Sequence, residues 1–349
     1  MGRTMTASMT RRRWMGAACC AGASLASVSR NCFAADHPAA IDVHHHVSPP
    51  AWLRDAAGPI AATNRNASAI TGWTPARSLE EMDRSGVQVS VASITNPGVW
   101  FGEIEPARRL SRACSEYMAG LKQDGKGRFA GLVSPPLPDT EGSLREIAFG
   151  LDTLGLDGVG LLTNYDNKWL GDPSFAPVLA ELNRRHATVF VHPTSSACCS
   201  ANIPDVSLSA IEFPIDTTRT IVSLLFSGAL AQYPDIKWIF SHAGGALPML
   251  AQRVAQILES QPRLKERTPD GALNALKRLH YDLALAANPM AMGALTQLVA
   301  SSQILFGSDF PLSGQQATLA GIDAHGFGAA DLAAIRNGNA RRLFPKLGT

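Results

Sequence analysis

Ile41-Asp42-Val43-His44-His45-His46 opens the repeating pattern of this 349-residue chain, a short β-branched run that ends in three histidines. Similar Val/Ile/Leu-rich runs recur at roughly 87–94, 128–134, 158–164, 187–194, 236–243, 278–285 and 303–310. Longer amphipathic stretches separate or follow them, near 75–86, 104–123, 140–155, 173–186, 208–233, 246–266, 288–301 and 328–343. Short apolar runs alternating with helical ones predict a parallel sheet wrapped by helices. Eight strand–helix units in about 310 residues are what an α/β fold of the (β/α)8 TIM-barrel type needs. The rival is a doubly wound open sheet, but no Gly-x-Gly-x-x-Gly follows the first strand, where a dinucleotide site would announce itself. No internal repeat or low-complexity linker divides the chain, so a single domain is expected over 35–349. Residues 47–74 are too long for an ordinary connection from strand to helix; they are expected to form a loop or cap insertion over the site.

Composition narrows the function classes. The chain is 46% hydrophobic and 17% charged, which fits a globular protein with a sizeable core and excludes disorder and collagen. The formal charge of +2 includes five arginines before Asp36; without that stretch 26 basic face 29 acidic residues, a net charge of −3. No basic patch argues for nucleic acid. The N-terminal stretch reads as a separate object: Thr10-Arg-Arg-Arg-Trp-Met-Gly16, a weakly apolar run to Val28, then Cys32-Phe33-Ala34-Ala35. That order is a secretory signal. The arginine pair and the leucine-poor apolar run resemble the twin-arginine class, with an ordinary Sec signal or a disordered basic tail as alternatives. Residues 1–34 are therefore expected to be cleaved and the remainder exported, to the periplasm. No run approaches the roughly 18–20 apolar residues of a membrane span, so no membrane partner is expected after cleavage. Past the signal only Cys114 and the pair Cys198-Cys199 are left, an odd number without framework spacing.

In a barrel, chemistry sits at the C-terminal ends of the strands. Four of the eight runs end in ligand-type side chains. The first ends His44-His45-His46; alternation points His44 and His46 the same way and His45 toward the helices. The fifth ends Val191-His192-Pro193, the sixth Ser241-His242-Ala243-Gly244-Gly245, and the eighth Gly307-Ser308-Asp309-Phe310-Pro311. Three histidines and an aspartate can close a shell around one divalent ion, zinc first, with manganese, cobalt or iron open. The fourth run, Gly158–Asn164, carries no Lys or Glu to bridge a second metal. A mononuclear site is the better reading.

These stretches resemble the amidohydrolase superfamily, in particular the group containing aminocarboxymuconate-semialdehyde decarboxylase and the salicylate-type decarboxylases. The likeness rests on Ile41–His46, Val189–Pro193, Ser241–Pro248 and Ile304–Pro311, together with Trp73–Val87. Thr163-Asn164-Tyr165 and Phe213–Arg219 look most like the 6-methylsalicylate decarboxylase branch. The resemblance implies metal ligation by His44, His46, His192 and Asp309, with His242 acting on bound water or substrate. It also implies that Arg253 reaches a substrate carboxylate in the neighbouring subunit of a homodimer. A second carboxylate-binding arginine of the semialdehyde enzyme would fall at Asn66, with Arg65 one place off, which favours a substrate with a single carboxylate.

The resemblance further implies non-oxidative decarboxylation of a small aromatic carboxylate, with phenol and carboxylate oxygens at the metal and Asp309 or His242 delivering a proton to the ring carbon. The same shell also serves a mononuclear hydrolase of a lactone, ester or amide, or a periplasmic binding protein that has lost catalysis. Candidate substrate contacts are Arg253, Arg219 on the helix after the fifth strand (paired with Asp216), Asn96 at the end of the second strand, and Trp73. Trp100, Phe101, Tyr165, Trp169 and Phe310 are further candidates for an aromatic slot.

Overall fold

The computed structural model describes residues 39–63, 67–197, 203 and 205–347. The signal segment, Asn66, Arg65 and the Cys198-Cys199 pair therefore lie outside the described residues.

All eight expected strands form. They are β1 (Ala40–His46), β2 (Val87–Ser93), β3 (Phe129–Val133), β4 (Gly158–Leu162), β5 (Thr188–His192), β6 (Lys237–Phe240), β7 (His280–Asp282) and β8 (Ile304–Leu305). They pair in parallel and in chain order. Closure is made by the chain just past β8: Val43 N–H donates to Phe306 O at 3.0 Å, Asp309 N–H to His44 O at 2.9 Å and His46 N–H to Phe310 O at 2.7 Å. The fold is a (β/α)8 barrel. A small antiparallel hairpin, Asn164–Tyr165 with Lys168–Trp169, follows β4.

The barrel interior is packed by Ile41, Val43, Val89, Val91, Ala130, Leu132, Phe190, Ile239 and Leu305, with Leu343, Phe344 and Leu347 from the C-terminal segment in the same cluster. Strict alternation from Ile41 and Val43 would turn His44 away from this interior. Between Asp42 and His45 the register slips, so that three steps along β1 span the two from Ser90 to Ala92 on β2. A bulge of this kind re-aims the side chains beyond it and puts His44 and His46 on the inward face. His45, as expected, faces the helices: it is buried, bonded to Asp42 and to Ser78 Oγ (2.8 Å), and stacked on Phe310.

The expectation for 47–74 needs correction. Instead of a loop it forms helices at Pro50–Thr63 and Ala67–Thr71, and Trp52, Ile60 and Ile70 are buried in the main core. Amphipathic residues with a core to join pack onto it rather than over a cavity. Helices also form at Ala272–Lys277 and Gln315–Ala324, which the eight-unit pattern omits. Among the described residues no helix is long and apolar enough to cross a membrane.

Candidate metal centre and active-site cavity

Where β1, β5 and β8 end, His44, His46, His192 and Asp309 each offer a ligand atom, and these atoms all lie within 4.8 Å of one another. The two Nε2 atoms of His44 and His46 face each other at 3.0 Å. Asp309 Oδ1 lies 3.0 Å from Nε2 of His46 and 3.2 Å from Nε2 of His44, yet it is buried without a hydrogen bond to any described residue. Convergent donor atoms with a buried, unsatisfied carboxylate oxygen are what a divalent cation would satisfy. The residues fit a metal.

Each of the three imidazoles is held from behind. Ser93 Oγ lies 3.1 Å from Nδ1 of His46, the Pro193 carbonyl 2.8 Å from Nδ1 of His192, and Asp282 Oδ2 3.0 Å from Nδ1 of His44. Such contacts orient the ring and leave Nε2 for the metal. Asp42 accepts from the backbone N–H of both His44 (3.1 Å) and Ser308 (2.9 Å), tying the two ligand-bearing segments together. Asp282 and Ser93 escape a search for strand-terminal ligands, although Asp282 does end the seventh strand.

The electrostatics match a site built for a cation. Burial opposes a charged imidazole at His44, but Asp282 and Asp309 outweigh it and raise its pKa from 6.5 to about 10. At His46 burial prevails and lowers the pKa to about 4. His192 is held well below its ordinary value by burial and by the neighbouring His46 and His44. Asp309 stays ionised: burial favours its neutral form, but the nearby His44 and the other imidazoles around it overcome that and hold its pKa well below the ordinary value. Without a metal, His44 is thus the ring of the three that favours the doubly protonated, charged form, and a cation ligated through it would displace that second proton.

Above the cluster lies a cavity of about 630 Å³, reaching His192, His242 and Asp309 and walled by Thr95, Asn96, Phe213, Leu285 and Leu312, among others. His242 Nε2 is buried without a hydrogen-bond partner among the described residues, 3.6 Å from Asp309 Oδ2. It sits in a left-handed turn in which His242, Ala243, Gly244 and Gly245 all have positive φ. A Cβ on Gly245 would fall 1.9 Å from the Pro214 carbonyl oxygen, so only glycine lets the Phe213-Pro214 segment close this side of the cavity.

The other expected contacts divide. Asn96 lines the cavity, its Oδ1 accepting from Thr194 Oγ1 at 2.5 Å. Trp73 does not: it is buried, with Nε1 donating to Ser78 Oγ at 2.8 Å, because an indole needs apolar cover and one acceptor and finds both in the core. The proposed aromatic slot also fails, since Trp100, Phe101, Tyr165, Trp169 and Phe310 are absent from the lining and Phe213 supplies the aromatic wall. Asp216 is not half of a solvated ion pair but fully buried, accepting from Thr163, Asn164 (2.6 Å) and Trp169 (2.8 Å) to pin the hairpin. Arg219 lies 3.9 Å from it and outside the cavity lining. Arg253 is exposed on the Leu247–Glu259 helix and does not line the cavity of its own chain.

Barrel and donor cluster together are those of a candidate divalent-metal centre, and the amidohydrolase family profile matches residues 41–346. The chain belongs to that family. It is similar to the 6-methylsalicylic acid decarboxylase of Penicillium expansum, 34% identical over 321 residues, 88% of this chain and 97% of the relative. Among solved structures it resembles an amidohydrolase II (TM-score 0.78, 26% identity, covering 88% of this chain and 100% of the other). It shares its fold with the dihydroxybenzoic acid decarboxylase of Polaromonas sp. JS666, crystallised with manganese and 2-nitroresorcinol (TM-score 0.77, 19% identity, covering 88% and 96%). The protein is a metal-dependent decarboxylase of the family, and the hydrolase alternative gains no support from these relatives.

Proposed function

We propose that the protein decarboxylates a salicylate-type acid bearing one carboxylate, 6-methylsalicylate first, giving 3-methylphenol and carbon dioxide without redox change. The observation that carries this is the cavity itself. Its described lining holds the ligand cluster, an aromatic wall at Phe213, neutral polar groups and aliphatic side chains, but no Arg or Lys. A single carboxylate next to the cluster is matched in charge; a second one elsewhere in the cavity would find no cation in the lining that its own chain supplies.

His44, His46, His192 and Asp309 would hold the ion. When bound, a divalent ion supplies positive charge that orients and polarises a carboxylate and its ortho hydroxyl. Asp309, kept ionised, is a poor proton donor. His242 presents an unpartnered Nε2 to the same space and delivers the proton to the carbon bearing the carboxylate. The electron pair of the breaking C–C bond then returns to the ring as carbon dioxide leaves. Phe213 stacks or packs on the ring, and Asn96 offers a polar contact. Three imidazoles and a carboxylate suit zinc, and the manganese in the Polaromonas relative makes manganese the second ion to load.

The deciding assay is carbon dioxide release from 6-methylsalicylate, salicylate and 2,6-dihydroxybenzoate by the chain from Ala35, loaded with zinc or manganese. Release that stops with chelator supports the proposal; protein with one metal per chain and no release from any of the three overturns it. Homodimerisation with Arg253 reaching the neighbouring cavity is part of the proposal. Sedimentation should show a dimer, and Arg253→Ala should raise KM; a monomer with full activity sinks that part. Export through the twin-arginine route is proposed from residues 1–34, and replacing Arg11-Arg12 by lysines should leave the protein in the cytoplasm.

A further inference from the structure

Asp282, at the end of β7, touches two functional segments at once. Its Oδ2 lies 3.0 Å from Nδ1 of His44. Its Oδ1 accepts the backbone N–H of His242 at 3.1 Å and of Ala284 at 2.9 Å. The carboxylate is fully buried. A Cβ on Gly307 would lie 2.8 Å from Cβ of His44 and 2.9 Å from Cβ of Asp282, so the chain past β8 presses on this pair at a point where only glycine fits.

Each oxygen has a distinct consequence. An ionised carboxylate only accepts, so the proton on His44 belongs on Nδ1 and the Nε2 lone pair is turned to the cluster. At the other oxygen, the anchored N–H belongs to the first residue of the left-handed turn. There φ is +55° at His242 and +56° at Ala243, before the two glycines. Side-chain-bearing residues resist that conformation, and the bond to Asp282 is a contact at the turn's first residue that opposes relaxation.

We propose that Asp282 is a positioning residue serving both halves of the site. It holds His44 in the tautomer that ligates through Nε2, and it anchors the turn that aims His242 into the cavity. The proposal rests on the metal-centre reading above. It explains why the two halves keep a fixed relation although His44 and His242 come from different strands.

Asp282→Asn separates the two roles. The amide keeps the size and keeps one oxygen for the two backbone N–H groups, but it sets an NH2 group against Nδ1 of His44. That nitrogen must then accept, and the proton moves to Nε2, the ligand atom. Competition with a chromophoric chelator should show zinc and manganese affinity lowered about 10- to 100-fold. The melting temperature of the metal-free protein should stay near wild type, and kcat at saturating metal should fall only a few-fold. Asp282→Ala, which frees the turn as well, should also lower kcat at saturating metal. Wild-type metal affinity in Asp282→Asn overturns the proposal. If that variant does not fold, NMR of 15N-histidine-labelled, zinc-loaded wild type decides: a proton on Nδ1 of His44 is expected, and its absence overturns the assignment. A wild-type chain that binds neither ion removes the metal centre and this proposal together, an outcome distinct from equal binding by both proteins.

Discussion

His242→Asn tests the proton-delivery step with the least collateral damage. Asparagine tolerates the left-handed region better than alanine or any branched residue, so a backbone held at φ +55° should survive the change. The lost atom Nε2 makes no hydrogen bond to a described residue, so no bonded partner is stranded. What disappears is ring packing against His44, 5.0 Å away between centroids, and His192 at 6.1 Å. Such contacts contribute about 1 kcal/mol, and stability should drop by no more. Metal content should not change, because the four converging ligand atoms do not include His242. Catalysis should change greatly: a positioned acid contributes about 10²–10⁴-fold, or roughly 3–5 kcal/mol of barrier. The assay pairs the initial rate of carbon dioxide release with metal analysis of the same sample. Loss of metal in step with activity would make His242 a ligand, and a rate within tenfold of wild type would remove it as proton donor. Either result refutes the reasoning.

Metal affinity should climb about tenfold per pH unit between pH 7 and 9, because the cation displaces a proton held on His44 with a pKa of about 10; a flat profile in chelator competition would contradict this. In the metal-free protein the same raised pKa contributes stability that is complete below 6.5 and disappears as pH rises toward 10. His46, lowered to about 4, acts oppositely: the unfolded chain takes up its proton first, so stability should fall as pH drops from 6.5 toward 4, as denaturant titrations at several pH values would show. Asp216→Ala strands the buried donors of Thr163 and Asn164 and the half-buried one of Trp169 and should cost roughly 3 kcal/mol in urea unfolding, whereas a loss under about 1 kcal/mol would deny the hairpin anchor. Phe213→Ala should raise KM about 2- to 10-fold with a smaller effect on kcat; an unchanged KM would place the aromatic substrate elsewhere in the cavity.

Much of the site is legible because its signals are local. Residue type and period-two spacing around Ile41–His46 identify a strand carrying two like-facing histidines. His192, His242 and Asp309 are found by the same rule, since each follows an apolar run whose end in a barrel must face the catalytic side. The count of eight such runs, with helical stretches between, determines the fold, and no distant contact has to be known to obtain it.

Tertiary structure decided what depends on register and on competition for cover. The bulge between Asp42 and His45 places His44 inside, and nothing in the alternation of β1 announces it. Asp282 lies 238 positions from His44, so its role exists only once β7 and β8 bring their ends beside β1. Trp73 and the 47–74 helices looked available for the cavity, but the core offered their apolar surface more burial than an open mouth does. Phe213 took the wall because glycine at 245 lets its segment approach. Ligand identity is written in side-chain chemistry and survives in one dimension. Which side chains meet is set by backbone geometry that sums over the whole barrel.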